Sequence, residues 1–172
     1  MRYRLGLLNL SSARRPLNPL AGFTRDTLFE LGEESFRRGT AGDIYPEMRR
    51  LVEELRQNGE EVILASTSFH FLLAPLAREL GATGLVCSEL EYQDGVATGQ
   101  IGGEPCYAEE KARRTARYFD SRGLDLSAAS FYSDSHHDRP LLDAVAAPVA
   151  VNPDWRLKRH ARKHGWKLLQ LE

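Results

Sequence analysis

With 172 residues, of which 42% are hydrophobic and 27% charged, the chain has the make-up of one ordinary globular domain long enough to bury a core. Its 23 basic and 24 acidic residues leave a formal net charge of -1, which excludes a global field able to recruit nucleic acid or an anionic membrane, so an acidic ligand must be held locally. Cys87 and Cys106 lack metal-type spacing and are too few for a disulfide scaffold, the opening MRYRLGLLNLSS is too short for a secretory signal, and no segment approaches the roughly 20 apolar residues of a membrane span. The expectation is a cytoplasmic protein with no nucleic-acid or membrane partner.

Thr24 can cap a helix whose Leu28, Leu31 and Phe36 face one way, with Gly39 at its end. In YPEMRRLVEELRQNG, Pro46 suits a first helical position, Met48, Leu51, Val52 and Leu55 form an apolar stripe, and Gly59 stops it. The period then changes. VILAS is a short continuous apolar run, as in a strand covered on both faces, and Ser68 is placed to cap the helix FHFLLAPLAREL, which the interior Pro75 should kink before Gly81 closes it. LVC at 85–87 reads as strand, and LEYQDGVATGQI as a hairpin about Asp94-Gly95. Helix returns at YAEEKARRTARYFDSRG, strand at ASFYS, a short helix at DRPLLDAV, strand at PVAV and helix at PDWRLKRHARKHG before a final KLLQ. This alternation predicts an α/β fold, a Rossmann-like parallel sheet with helices on both faces. A boundary is expected near Gly42 to Tyr45, giving a helical front piece over 1–43, an α/β core over 44–172 and a small β-hairpin excursion.

Ligands of an open parallel sheet bind beyond the carboxyl ends of its strands. Ser66, Asp134 and Asn152 end three predicted strands, and Lys111 lies in the first turn of its helix. Asp134 offers a hard oxygen suited to Mg²⁺, and Asp138 is spaced to hold the metal or orient its water. Ser66 can donate to a phosphate oxygen and Lys111 can neutralise its charge. Singly, each residue has a plainer reading: a D-x-x-x-D pair caps exposed helices, a strand-end serine makes a turn, and a helix lysine is usually solvated. Agreement of spacing and sheet edge favours the site. His136 and His137 suggest zinc only weakly, since adjacent histidines on an irregular segment point apart. The stretch RLKRHARK reads as a solvated helix face, and no G-x-G-x-x-G follows a strand as a nucleotide-binding domain requires.

Taken in order, YPEM, VILASTSFHFLLAPLARELGA, the Asp-Gly hairpin with TGQI, PCYAEEK, FYSDSHHDRPLL and VAVNPDWRLKRHARKHGW resemble the phosphoserine-phosphatase-like branch of the haloacid dehalogenase-like (HAD) superfamily over residues 45–172. The resemblance implies a HAD-like core with a partial helical cap, Mg²⁺ as cofactor and a small phosphorylated metabolite as substrate. It assigns phosphate binding to Ser66, Thr67, Lys111 and His137, with Ser66 and Lys111 also serving catalysis, and metal binding to Asp134 and Asp138. The family usually carries asparagine at the position of His137 and an apolar residue at that of Arg139.

The front end departs further. Family enzymes open on a strand ending D-x-D-x-T, whose first aspartate takes the phosphoryl group and whose second works as acid and base, and no D-x-D occurs in these 172 residues. One explanation makes residues 1–43 the later part of the cap, with the nucleophile strand upstream; the other makes LGLLNLSS the first strand, with Asn9 and Ser11 where the aspartates belong. The first is favoured, because PLAGFTRDTL followed by YPEM resembles a cap running back into its core. Either way catalysis should be poor, since loss of such a nucleophile costs on the order of 10⁴ to 10⁶ in rate. A sheet lacking its central strand should re-pair, borrow residues 3–10 as a substitute, or form a homodimer through the gap. The rival function is a non-catalytic protein that holds a phosphate ligand or a partner.

Overall fold

The computed structural model describes residues 18–172; the run LGLLNLSS, with Asn9, Ser11 and the substitute strand expected over 3–10, lies outside them. The chain divides into two compact units, one ending at Pro105 and the other running Cys106–Glu172.

In the first unit the Thr24 hydroxyl caps helix α1 (Arg25–Arg38), accepting the backbone N–H of Thr27 at 3.2 Å. That bond satisfies one of the donors every helix start leaves without a partner. Leu28, Gly32 and Phe36 are its buried residues, Leu31 is exposed rather than on the inner face, and Gly39 closes it. Helix α2 (Pro46–Gln57) opens on proline, whose missing N–H costs nothing at that position. Strand β1 (Ile63–Phe69), helix α3 (His70–Leu80) and strand β2 (Gly84–Ser88) follow, and β1 pairs with β2 in parallel.

The ends of β1 and α3 differ from expectation. The strand continues past Ser66 to Phe69, and Phe69, not Ser68, stands at the start of α3, with no side-chain cap. Phe69 pairs with Ser88 and is only 3% exposed. Burying a phenylalanine is worth roughly 1.5–3 kcal/mol, more than a serine cap at about 1 kcal/mol.

Strands β3 (Leu90–Gln93) and β4 (Val96–Ile101) form the hairpin about Asp94 and Gly95, both at positive φ, 51° and 81°. Two successive left-handed residues are what a tight two-residue hairpin requires. The approach to α1 lies along β4: Thr24 bridges Val96, and Gly22 and Phe23 exchange backbone hydrogen bonds with Ala97 at 2.9 and 2.8 Å. Leu28, Phe69, Phe71, Leu90 and Ala97 then form one core, with Leu20, Phe29, Tyr92 and Ile101 against it. The helical front segment therefore shares its core with β1, α3 and the hairpin.

The second unit holds helix α4 (Ala108–Ser121), strand β5 (Ser130–Ser133), helix α5 (Arg139–Leu142), strand β6 (Ala147–Val151), helix α6 (Trp155–His164) and strand β7 (Lys167–Leu169). The three strands make a parallel sheet in the order β5-β6-β7. Leu142, Ala150, Leu157 and Ala161 form its core, backed by Phe131 and Trp166. Parallel strands alternating with helices make the fold α/β of the Rossmann-like kind. Among the described residues β1 pairs only with β2 and β5 only with β6, so one edge of each carries no ladder partner. No helix among the described residues is long and apolar enough to cross a membrane.

Candidate functional site

In the second unit, buried polar groups collect where β5 runs into the loop before α5. Ser133, Asp138 and Lys111 are all buried. Lys111 Nζ donates to Asp138 Oδ1 at 2.5 Å, and Ser133 Oγ donates to Asp138 Oδ2 at 2.6 Å. Both oxygens of Asp138 are thereby engaged. The Lys111 and Asp138 side chains are 6% and 12% exposed, and charges this far from water persist only when paired and hydrogen-bonded.

Taken singly, a helix lysine such as Lys111 would be expected in solvent. Arg113 and Arg117 are exposed and, with half-buried Arg114, pair with Glu110, but Lys111 turns inward beside buried Thr115, whose hydroxyl donates to Lys111 O at 2.8 Å. The helix opens on Ala108 at φ 48°, a left-handed conformation that costs an alanine roughly 1–2 kcal/mol. Strain thus sits one turn before the buried lysine.

The backbone N–H groups of the loop from Ser135 to Asp138 are all hydrogen-bonded. The N–H of Ser135 donates to Ser133 Oγ at 3.1 Å, that of His136 to Asp154 Oδ2 at 2.7 Å, that of His137 to Ser135 Oγ at 3.2 Å and that of Asp138 to Ser135 O at 3.1 Å. Four consecutive donors with four partners hold an irregular segment to one path.

Asp134 opens to solvent at the end of β5, yet protein crowds its carboxyl. Desolvation first, then the neighbouring carboxylates of Asp138 and Asp154, raise its pKa above the ordinary value, against its own backbone N–H and Lys111. A cation at Asp134 would relieve that excess of negative charge. Among the described residues no three His, Cys, Asp or Glu side chains converge as a metal cage; Mg²⁺ is commonly held by one or two carboxylates and water. A solvent-open carboxylate oxygen such as that of Asp134 is a donor that such an ion could take.

The two histidines face differently. The exposed His137 ring lies 5.0 Å from that of Tyr107, while His136 Nδ1 is buried and has no hydrogen-bond partner among the described residues. Asn152, marked in the sequence as a strand-end polar group, is committed to the chain's tail. It sits at φ 43°, and its Oδ1 accepts the Leu171 N–H at 2.9 Å and the Gln170 Nε2–H at 2.7 Å.

Ser66 and Thr67 lie in the first unit, within β1. The β1–β2 register breaks between Ala65 and Phe69, so both fall in the interruption. Ser66 Oγ accepts the Ser68 N–H at 3.1 Å, which leaves its O–H to donate, and Thr67 O accepts the hydroxyl of buried Ser88 at 2.8 Å.

The structure thus brings Lys111, Asp138 and Asp134 into one unit with His137 on the same loop. It adds two residues that the sequence reading passed over, Ser133 and Asp154. An aspartate before a helix, in NPDWR, signals a cap; nothing local signals its bond to a loop so distant in sequence.

The family model for haloacid dehalogenase-like hydrolases matches residues 4–143. The chain is 33% identical over 175 residues to a histidinol-phosphatase of Neisseria meningitidis serogroup C, covering 99% of this chain and 79% of that protein. It is 35% identical over 155 residues to a phosphoserine phosphatase of Mycobacterium tuberculosis, covering 90% of this chain and 50% of that protein, so it spans half the length of that relative. A crystal structure of a protein of unknown function from Bordetella pertussis superposes with a TM-score of 0.84 at 32% identity, covering 96% of this chain and 76% of that one.

Proposed function

Because this chain belongs to the haloacid dehalogenase-like hydrolase family, in its phosphoserine-phosphatase-like branch, we propose that its second unit carries the phosphate- and magnesium-binding half of a phosphomonoesterase site for a small phosphorylated metabolite. The observation that carries this reading is the buried cluster of Lys111, Asp138 and Ser133 beside the solvent-open Asp134. Asp134 is the metal ligand of the proposal. Asp138, with both oxygens engaged, anchors Lys111 and would support the hydration of an ion held at Asp134. Bound there, Mg²⁺ supplies positive charge against the phosphoryl oxygens. Lys111 adds a cation whose direction is set before any ligand arrives, which spares reorganisation when charge develops. In the first unit, Ser66 and Thr67 carry the hydroxyls that the family's pattern gives to phosphate, and His137 on the loop offers a further contact.

A second reading has its own support. No Asp-x-Asp occurs in the 172 residues, so these residues lack the family's phosphoryl acceptor. Cys106 is a poor substitute: it is fully buried, and burial, outweighing Lys111 and Arg114, pushes its thiol up and away from the reactive thiolate. A non-catalytic protein that holds a phosphate ligand or partner through the surviving groups satisfies the same geometry. Turnover of an aryl phosphate by the purified chain with Mg²⁺, beside an Asp134→Asn control, tests the two. The expected result is no turnover above the control, from a deficit on the order of 10⁴ to 10⁶ relative to an enzyme with its nucleophile. Turnover that disappears in the control would mean that another residue accepts the phosphoryl group.

A further inference from the structure

We propose that Asp154 is a positioning residue for the loop from Asp134 to Asp138, and that it acts through the backbone of His136, an inference that rests on Asp134 being the metal ligand. Asp154 stands before α6, and its two carboxylate oxygens serve different parts of the chain. Oδ1 accepts the N–H groups of Arg156 and Leu157, each at 2.9 Å, and so caps the helix. Oδ2 accepts the His136 N–H at 2.7 Å, shorter than the 3.1–3.2 Å of the other N–H bonds in that loop. The Asp154 N–H in turn donates to Asp134 O at 2.9 Å. The residue therefore grips the loop on both sides of Ser135.

Capping does not explain this arrangement. Serine or asparagine caps a helix about as well as aspartate, and one oxygen suffices. Only a carboxylate presents an acceptor both to the helix and to the loop. Burial pushes the Asp154 carboxyl up, but the N–H groups of His136, Leu157 and Arg156 outweigh it and hold the pKa below its ordinary value, with His136 adding to the effect. Leu157, three residues on, is 0% exposed in the core with Leu142 and Ala150. Asp154 thus passes the fixed position of α6 to the loop whose first residue is Asp134. Residues that orient metal ligands in this indirect way commonly change metal affinity 10–100-fold when replaced.

Asp154→Asn separates the two roles. Its amide keeps an oxygen on the side where two helix N–H groups wait and turns NH₂ toward the His136 N–H, donor against donor. Asp154→Ser likewise keeps a cap and loses the loop bond. In both variants of the full chain, hydrogen exchange at the His136 amide should quicken about tenfold or more, while the Arg156 and Leu157 amides keep their protection. Mg²⁺ affinity, read by calorimetric titration with the metal alone, should fall about 10–100-fold. The proposal is overturned if His136 exchange and Mg²⁺ affinity stay at wild-type values in both, with a defect only in the uncapped Asp154→Ala. A wild-type chain that binds no Mg²⁺ would remove the metal reading of Asp134, and the His136 exchange rates would still decide whether Asp154 positions the loop.

Discussion

Asp138→Ala is expected to lower the folding stability of the second unit by about 3–5 kcal/mol, the range for breaking a buried ion pair from one side. The variant leaves the Lys111 ammonium 6% exposed with its carboxylate gone, and strands the Ser133 hydroxyl that donated to the same group. For a chain of this length each kcal/mol is worth roughly 2–4 °C in melting temperature, so a fall of about 10 °C is predicted. Trp155 and Trp166, the chain's two tryptophans, both lie in the second unit, and their fluorescence during urea unfolding reports it. The double variant Lys111→Met with Asp138→Leu should recover most of the loss, because two apolar groups of similar size remove the desolvation cost along with the attraction. A change below about 1 kcal/mol in Asp138→Ala would mean that Lys111 reaches solvent, contrary to the burial described.

The second large effect is expected in the first unit, at Gly32. This residue is buried on α1 where the helix packs on α3. A Cβ built on it would fall 2.0 Å from the carbonyl oxygen of Phe71 and 2.9 Å from its carbon. Both atoms are backbone, so no side chain can swing aside. That carbonyl has a particular history in the sequence. It is the oxygen to which residue 75 would donate in an unbroken helix, and residue 75 is proline, which has no N–H. Pro75 leaves the Phe71 oxygen without its usual donor, and the bare Cα of Gly32 is what α1 presents to it. Gly32→Ala should therefore destabilise by about 3 kcal/mol, at the upper end of overpacking costs, despite alanine's better helix propensity of about 1 kcal/mol. Far-UV circular dichroism through thermal unfolding measures it. An alanine variant as stable as the parent would show that α1 and α3 separate at little cost.

Much of the fold was legible because its signals are local. Thr24, Pro46 and Asp94-Gly95 act on their own few residues, and the change from helical to continuous apolar period at VILAS needs no knowledge of the rest of the chain. Where distant pairing decides, local reading falls short. Ser68 is a good cap in isolation, but the ladder position opposite Ser88 and a buried Phe69 ring extend β1 beyond it. Asn152 ends a strand as expected, yet its amide is used by residues 170 and 171. At the candidate site, Asp134, Asp138 and Lys111 were marked by strand-end position and by the order of segments shared with a family. Their electrostatics were not, because the inward turn of Lys111, the second hydrogen bond from Ser133 and the grip of Asp154 depend on contacts between residues far apart in sequence. The same cause explains why Asp138, read as support for a metal's hydration, shows itself first as the anchor of a buried lysine.

Calorimetric titration of inorganic phosphate into the full chain, with and without Mg²⁺, in the wild type and in Asp134→Asn, addresses the central claim most directly. The account predicts phosphate binding by the wild type that requires Mg²⁺ and is lost in Asp134→Asn, while the variant keeps its melting temperature because Asp134 is open to solvent. Phosphate binding that ignores Mg²⁺, that survives the substitution, or that fails in the wild type altogether would contradict it.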